Sequence, residues 1–402
     1  MTFSSEILAD FAVIMTIGAL FTFLFYELKQ PLILGYLIAG VIIGPYTPPF
    51  AFVARLDVLG VAADLGVILL LFGIGLEFPL VRLRKIGFKV PIGVSAIEIA
   101  LMFLISYGVG WMLGWSLTDS LFLGAALASS STVIIAKVLT DMGKLKDTST
   151  LIMMGVLIVE DLFVILILAM ITAIAGTGSL DIPSTAWTVG KVLLFLLGTL
   201  IVGGLIIPRV IDRVARLEHN EVLILVALGL CFGLSVVANM LGISMAIGAF
   251  LMGVLVASAK SADRVASLSS PIKDMFGAMF FVSMGALIDI SQFRVFLIPA
   301  LVITAIMMVG KMIGCGLGTK VFGYDIPTSW KVGLGMGQIG EFAFIVAKVG
   351  QDLNVIGTTV FPTIAIAAAI TAFLTPYMIK LSYRTNPTQW FARLRRRQSN
   401  RD

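Results

Sequence analysis

Apolar residues run along this chain in blocks of about twenty, parted by short polar stretches, and that alternation predicts helices that cross a bilayer. A helix rising about 1.5 Å per residue needs roughly twenty residues to span a hydrocarbon core of about 30 Å. Thirteen such blocks can be laid down: residues 7–28, 31–47, 58–78, 89–113, 118–140, 150–176, 186–208, 221–241, 243–259, 271–288, 295–318, 329–349 and 356–380. The shorter blocks, and those interrupted by Gly or Pro, are admissible where protein rather than lipid surrounds them. The connecting loops are short and none holds a soluble domain. The expected fold class is therefore an all-α polytopic membrane protein with thirteen transmembrane helices.

The pattern also repeats. Residues 31–44 (PLILGYLIAGVIIG) lie over residues 244–257 (SMAIGAFLMGVLVA) with Gly35 on Gly248 and Gly40 on Gly253. Asp64 to Gly75 (DLGVILLLFGIG) lies likewise over Asp274 to Gly285 (DMFGAMFFVSMG). Span 2 thus answers span 9 and span 3 answers span 10, an offset of seven. An odd offset reverses orientation, so the chain reads as two six-span inverted repeats joined by span 7, a construction that recurs in secondary transporters.

The same offset pairs spans 5 and 12, and both are interrupted. Span 5 carries Ser129, Ser130, Ser131 and Thr132 at mid-depth, and span 12 carries Gly333, Gly335, Gly337 and Gly340 around Gln338. Ser and Thr compete for backbone hydrogen bonds and Gly has poor helix propensity, so both segments can unwind where protein surrounds them. Either feature alone is more often a close-packing device. At symmetry-related positions they predict two crossed discontinuous helices, whose half-helix ends and freed carbonyls suit a desolvated alkali cation.

Charge enters this apolar frame in few places. Glu160 and Asp161 stand side by side in Leu151 to Ile174, where an ionised carboxylate costs about 3 kcal/mol or more and normally marks an ion or proton path. Neighbours on a helix point about 100° apart, so one carboxylate can face a cavity while the other meets a partner on another helix. Lys311, deep in span 11, needs an anionic neighbour, and the span 6 carboxylates are the first candidates. Glu98 in span 4 is a second candidate partner or a relay group; a 213-residue offset, that of spans 2 and 9, separates it from Lys311. Glu341 either supports the broken backbone of span 12 or is linked to the ion.

Composition agrees with the membrane reading. The chain is 59% hydrophobic and 13% charged over 402 residues, against about 25% charged in ordinary soluble domains. The first block follows Glu6 rather than a basic region and is too long for a signal-peptide core, so it reads as a retained span. Lys and Arg gather after odd-numbered spans, as Lys29, Arg82, Arg84, Lys85, Lys89, Lys144, Lys146, Arg209, Arg213, Arg216, Lys260, Arg264, Lys273, Lys320, Lys331 and the tail. Even-numbered spans are followed only by Arg55, Arg294 and Lys348, which puts the N-terminus outside and the C-terminus in the cytoplasm. Cys231 and Cys315 lie in apolar runs and read as small buried hydrophobes. Nothing in the pattern requires a cofactor, a resident metal or a nucleic acid.

The elements PLILGYLIAGVIIGP, DLGVILLLFGIGLEF, SSSTVIIAK, GVLIVEDL, FFVSMGALID and GMGQIGEFAFIV, in this order from about residue 15 to residue 380, resemble the monovalent cation:proton antiporters of the second superfamily branch, the Kef-type and related Na+/H+ exchangers. The resemblance implies antiport of K+ or Na+ against H+ by alternating access in a homodimer. It implies a scaffold and dimer domain (residues 1–80 and 221–290), a linker helix (186–216), a mobile core (89–176 and 294–380) and a basic cytoplasmic tail (381–402). By motif position Asp161 resembles the carboxylate that binds cation and proton in turn, and Lys311 resembles the core lysine paired with the first residue of that motif, here Glu160. The implied cation and proton site is Asp161, Glu160, Thr132 and Ser131, with Ser129, Ser130, Gly337, Gln338 and Gly340 at the crossover.

Two departures leave questions open. The family has Asp before the binding carboxylate in electrogenic sodium exchangers and Gln in glutathione-gated potassium systems, whereas this chain has Glu160. Kef-type proteins often continue into a nucleotide-binding regulatory domain, but here only about twenty residues follow the last span, so any regulator is expected as a separate cytosolic subunit or outside this sequence. Outside the family, a cation channel or an organic-ion transporter on a similar inverted-repeat fold are the alternatives. An intramembrane aspartyl protease needs two aspartates on different helices, one in a GxGD-like setting that Asp161 does not match, and serine chemistry lacks a deep histidine, since His219 sits in the polar segment RLEHNE.

Overall fold

A computed structural model of the chain describes residues 5–48, 52, 53, 55–77, 89–177 and 182–385. Within them the regular structure is helical: α1 (Ser5–Glu27), α2 (Leu32–Ile43), α3 (Leu56–Glu77), α4 (Lys89–Leu113), α5 (Leu117–Leu127), α6 (Thr132–Asp141), α7 (Thr148–Thr177) and α8 (Ile182–Gly198). After a π-helical turn at Thr199–Gly203 follow α9 (Gly204–Ala215), α10 (Asn220–Met240), α11 (Met245–Ala257), α12 (Ala262–Ala286) and α13 (Phe293–Val321). The last three are α14 (Ile326–Gly335), α15 (Phe342–Asp352) and α16 (Val360–Arg384). Each apolar block coincides with a helix or a consecutive pair of helices. Among the described residues nine helical stretches are long and apolar enough to cross a membrane, and α2 and α11 are shorter apolar helices. Arg82, Arg84, Lys85 and the arginines of the tail lie outside the described residues.

The chain divides into two compact units, Met1–Phe78 with Ala169–Phe293, and Pro79–Leu168 with Arg294–Asp402. Residues 186–216, the expected linker, fall in the first unit. In that unit α3 packs against α11 and α12, α2 against α1 and α12, and α10 against α11. Glycines set these approaches, and they do so in symmetric pairs. A side chain at Gly40 would run into the Val282 carbonyl of α12, and one at Gly253 into the Phe72 carbonyl of α3. Gly75 is pressed in the same way on the Phe250 carbonyl and Gly285 on that of Leu37, while Gly35 faces Phe21 and Gly248 faces Leu234. The two glycines of each pair aligned by the sequence repeat therefore meet corresponding helices of the two copies, as inverted repeats require. The Lys273 ammonium bridges to Glu77 at 2.6 Å between α12 and α3.

The second unit holds the two interrupted spans, α5 with α6 and α14 with α15. A capping box starts α5: Asp119 N donates to Ser116 Oγ at 3.0 Å and Ser116 N to Asp119 Oδ2 at 3.0 Å. Asp119 Oδ1 also accepts from Gly357 N at 2.7 Å, which ties this helix start to the approach to α16. Helix α13 comes so close to α4 at Gly314 that an added Cβ would lie 3.2 Å from Glu98 Cα. That approach brings Lys311, one turn earlier on α13, level with Glu98.

Candidate functional site

Helix α5 stops at Leu127 and α6 starts at Thr132, so the first break spans residues 128–131; the second spans residues 336–341 between α14 and α15. Helix ends leave backbone groups unpaired, and in an apolar surrounding each must find a partner. Here the two breaks supply one another. Gly340 N donates to Ser129 O at 3.0 Å, and Gln338 Nε2 donates to Ser131 O at 3.1 Å. Gly340 is required for the close approach, since a Cβ there would stand 2.6 Å from the Ser130 carbonyl. Ser131 is the N-cap of α6, its Oγ accepting from Ile134 N at 3.4 Å. Ile339 N donates to Thr371 Oγ1 on α16 at 3.2 Å.

Lys311 is the hub of this crossing. Its fully buried ammonium donates to Ser129 O at 3.1 Å, Ser130 Oγ at 2.7 Å and Gln338 O at 3.3 Å, so its three donors reach both breaks. A cation there also suits the partial negative charge of the α5 and α14 C-terminal ends. Two carboxylates flank it: Glu98 Oε1 at 3.4 Å and Glu160 Oε2 at 3.8 Å, all three side chains fully buried. The sequence expectation of a Glu160–Lys311 contact and the proposal of Glu98 as a second partner thus describe one cluster.

Asp161, next along α7, faces differently. It is 8% exposed, and Thr132 Oγ1 at the first turn of α6 lies 3.5 Å from its Oδ2, the outer limit of a hydrogen bond. Its Oδ1 is buried without a hydrogen-bond partner from the protein. Glu341, the N-cap residue of α15, makes no side-chain capping bond and is near enough to Asp161 for the two charges to act on one another. Among the described residues no three His, Cys, Asp or Glu side chains gather as a metal site. The geometry offers instead a carboxylate, a hydroxyl and the positive end of a half-helix, and the adjoining residue on the same helix, Glu160, belongs to the charged cluster around Lys311.

All the sequence-predicted site residues lie in one unit; the crossover residues Ser129, Ser130, Gln338 and Gly340 are joined by the bonds above, and Gly337 lies within the second break. Two contributors were missed. Thr371 holds the second break, and Ser95 Oγ donates to Val156 O at 3.3 Å, tying α4 to α7 one turn before Glu160. Each is a polar residue in an apolar run, yet most such hydroxyls simply bond back one turn, as Thr375 does to Thr371 O at 2.6 Å.

The model of the family described as sodium/hydrogen exchanger, transmembrane, matches residues 12–381. The Na(+)/H(+)-K(+) antiporter GerN of Bacillus cereus is 30% identical over 361 residues, covering 89% of this chain and 91% of that protein. The putative cation/proton antiporter YbaL of Escherichia coli is 32% identical over 88% of this chain, which spans 64% of YbaL. The K(+) efflux antiporter 5 of Arabidopsis thaliana is 30% identical over 94% of this chain, which spans 66% of that relative. In fold, the chain is similar to the sodium proton antiporter MjNhaP1 of Methanocaldococcus jannaschii, with a TM-score of 0.71, 20% identity and coverage of 96% and 98% of the two chains. With a family model matched over nearly its whole length and a relative 30% identical over about nine-tenths of both chains, the chain belongs to the transmembrane sodium/hydrogen exchanger family.

Proposed function

We propose that this chain is a secondary active antiporter that exchanges a monovalent alkali cation, K+ or Na+, for H+, with Asp161 as the shared site. Deprotonated, Asp161 holds the cation together with oxygens at the start of α6, Thr132 foremost and the N-cap Ser131 beside it; protonated, it releases the cation. Competition for one carboxylate couples the two fluxes without simultaneous binding, and alternating access then converts one gradient into the other. The observation that carries this reading is the buried Asp161 carboxylate against Thr132, at the start of a half-helix beside the interlocked breaks. GerN and K(+) efflux antiporter 5, named as antiporters of these cations, support the substrate class.

In this reading residues 89–176 and 294–380 form the mobile core, residues 1–80 and 221–290 the scaffold of a homodimer, and 186–216 the linker. The N-terminus faces outside, the C-terminus faces the cytoplasm, and any regulator is a separate cytosolic subunit. The protein carries substrates across rather than transforming them. Asp161→Asn should abolish cation-dependent dissipation of a pH gradient in proteoliposomes titrated with Na+, K+ and Li+. Exchange at the wild-type rate would sink the assignment, and single-channel current steps without proton movement would sink antiport itself.

A further inference from the structure

We infer that Gln338 is a positioning residue for the cation site, acting through a single peptide plane; this rests on the reading of Asp161 and Thr132 as that site. Gln338 is fully buried in the second break, and its side chain crosses to the first, where Nε2 donates to Ser131 O at 3.1 Å. The reversed amide would set Oε1 against the Ser131 carbonyl, two acceptors face to face, so this orientation is the one the contact permits. The carbonyl of Ser131 and the nitrogen and Cα of Thr132 belong to one planar, rigid unit. A bond that fixes the carbonyl therefore fixes where Thr132 begins.

From there the constraint passes to the site in one step. Thr132 is β-branched, so with its backbone held its Oγ1 has few staggered positions, and the one adopted lies 3.5 Å from Asp161 Oδ2. Gln338 is itself anchored: its N–H donates to Met336 O at 2.8 Å, its carbonyl accepts from Lys311 at 3.3 Å, and the next amide is held by Thr371 at 3.2 Å. The Ser131 carbonyl also accepts from Ile135 N at 3.3 Å, the first rung of α6, so the glutamine amide is the second bond on this plane and the one that ties it to the other break. Alkali cations differ in the oxygen distance they need, so a hydroxyl held by a fixed plane discriminates among them, and a loosened one does so less well.

Four variants in proteoliposomes test this: Gln338→Met, which keeps length and removes the donor; Gln338→Asn, which keeps the amide and withdraws it by one methylene; Thr132→Ala; and Gln338→Met with Thr132→Ala. Loss of a hydrogen bond of ordinary net strength predicts about a five-fold rise in cation KM for Gln338→Met, with a smaller change in kcat and a narrowed ratio of Na+ to K+ KM. On the Thr132→Ala background the same substitution should change neither quantity further. Unchanged KM and ion ratio in whichever Gln338 variant folds with the wild-type melting temperature, or additive effects in the double variant, would overturn the inference. Wild-type cation affinity and ion ratio in Thr132→Ala would instead overturn the reading of the site itself.

Discussion

Removing one of the two carboxyl charges around Lys311 should cost far less than removing both. At an effective dielectric constant of about 20, the Coulomb attraction is about 4.9 kcal/mol for Glu98 at 3.4 Å and about 4.4 kcal/mol for Glu160 at 3.8 Å, before desolvation. The difference, about 0.5 kcal/mol, is smaller than one ordinary hydrogen bond. Either carboxylate can thus balance the ammonium, and with all three groups ionised the cluster carries an excess negative charge that a Glu→Gln substitution relieves. Glu98→Gln and Glu160→Gln should each lie within about 1 kcal/mol of wild type, whereas the double variant leaves a buried ammonium without a counter-charge and should lose about 3–5 kcal/mol. Lys311→Gln should lose a comparable amount, because it strands two buried carboxylates and takes the donor from the Ser129 and Gln338 carbonyls. Replacing all three by Gln should recover much of that loss, since buried ion pairs contribute little net stability over neutral groups of similar size. Melting of the purified protein in detergent gives the stabilities, and vesicle exchange shows which variants still transport. Strict additivity of the two glutamates would refute the shared-cation reasoning. If Glu160→Gln alone were as damaging as Lys311→Gln, Glu160 would be the sole partner.

Gly340→Ala places a methyl 2.6 Å from the Ser130 carbonyl, backbone against backbone, so it should pry the crossover open, abolish exchange and destabilise by at least about 1–3 kcal/mol; normal exchange would show that the breaks need not touch. Gly253→Ala forces α11 off α3 at the Phe72 carbonyl and should lower the melting temperature by a similar free energy, while the protein that survives keeps its cation KM; a changed KM would mean the packing of this unit reaches the site. Asp325 caps α14 by accepting from Thr328 N at 3.3 Å, and hydrogen bonding from the Thr328 side chain, with this backbone bond adding to it, holds its carboxyl below the usual carboxylate range. With its folded pKa below the unfolded value of about 3.9, the stabilisation is present above that value and is lost as pH falls through the folded pKa. Asp325→Ala should accordingly cost about 1 kcal/mol at neutral pH, and the gap should close in acid; a gap independent of pH would show that the charge is not what acts.

The positions of the helices were legible because the bilayer fixes the length of an apolar run, and only a helix satisfies its own backbone over that length. The interruptions were legible too, since a serine triplet and a glycine cluster at mid-depth each weaken a helix. The repeat needed the glycines in register, and in the structure Gly35, Gly40, Gly75, Gly248, Gly253 and Gly285 all sit where neighbouring backbones leave no room for a side chain. The π-helical turn at Thr199–Gly203 left no comparable mark, because Gly198, Gly203 and Gly204 read equally well as ordinary helix-packing glycines.

The chemistry of the site was readable as a set of residue types but not as a set of bonds. A buried lysine announces that it needs an anion; it does not announce how many it has, nor that its hydrogens go to carbonyls of two broken helices. Those carbonyls belong to the backbone and have no sequence signature beyond the breaks themselves. Lys311 was therefore expected as one half of a pair and is found as the centre of five oxygens, Ser129 O, Ser130 Oγ, Gln338 O, Glu98 Oε1 and Glu160 Oε2, all within 3.8 Å. The distinction has a consequence for mechanism. An ammonium whose three hydrogens join the two breaks cannot leave without opening the crossover, so in the proposed exchange it serves as a fixed charge, and the carboxylate that faces Thr132 is the group proposed to trade a proton for a cation.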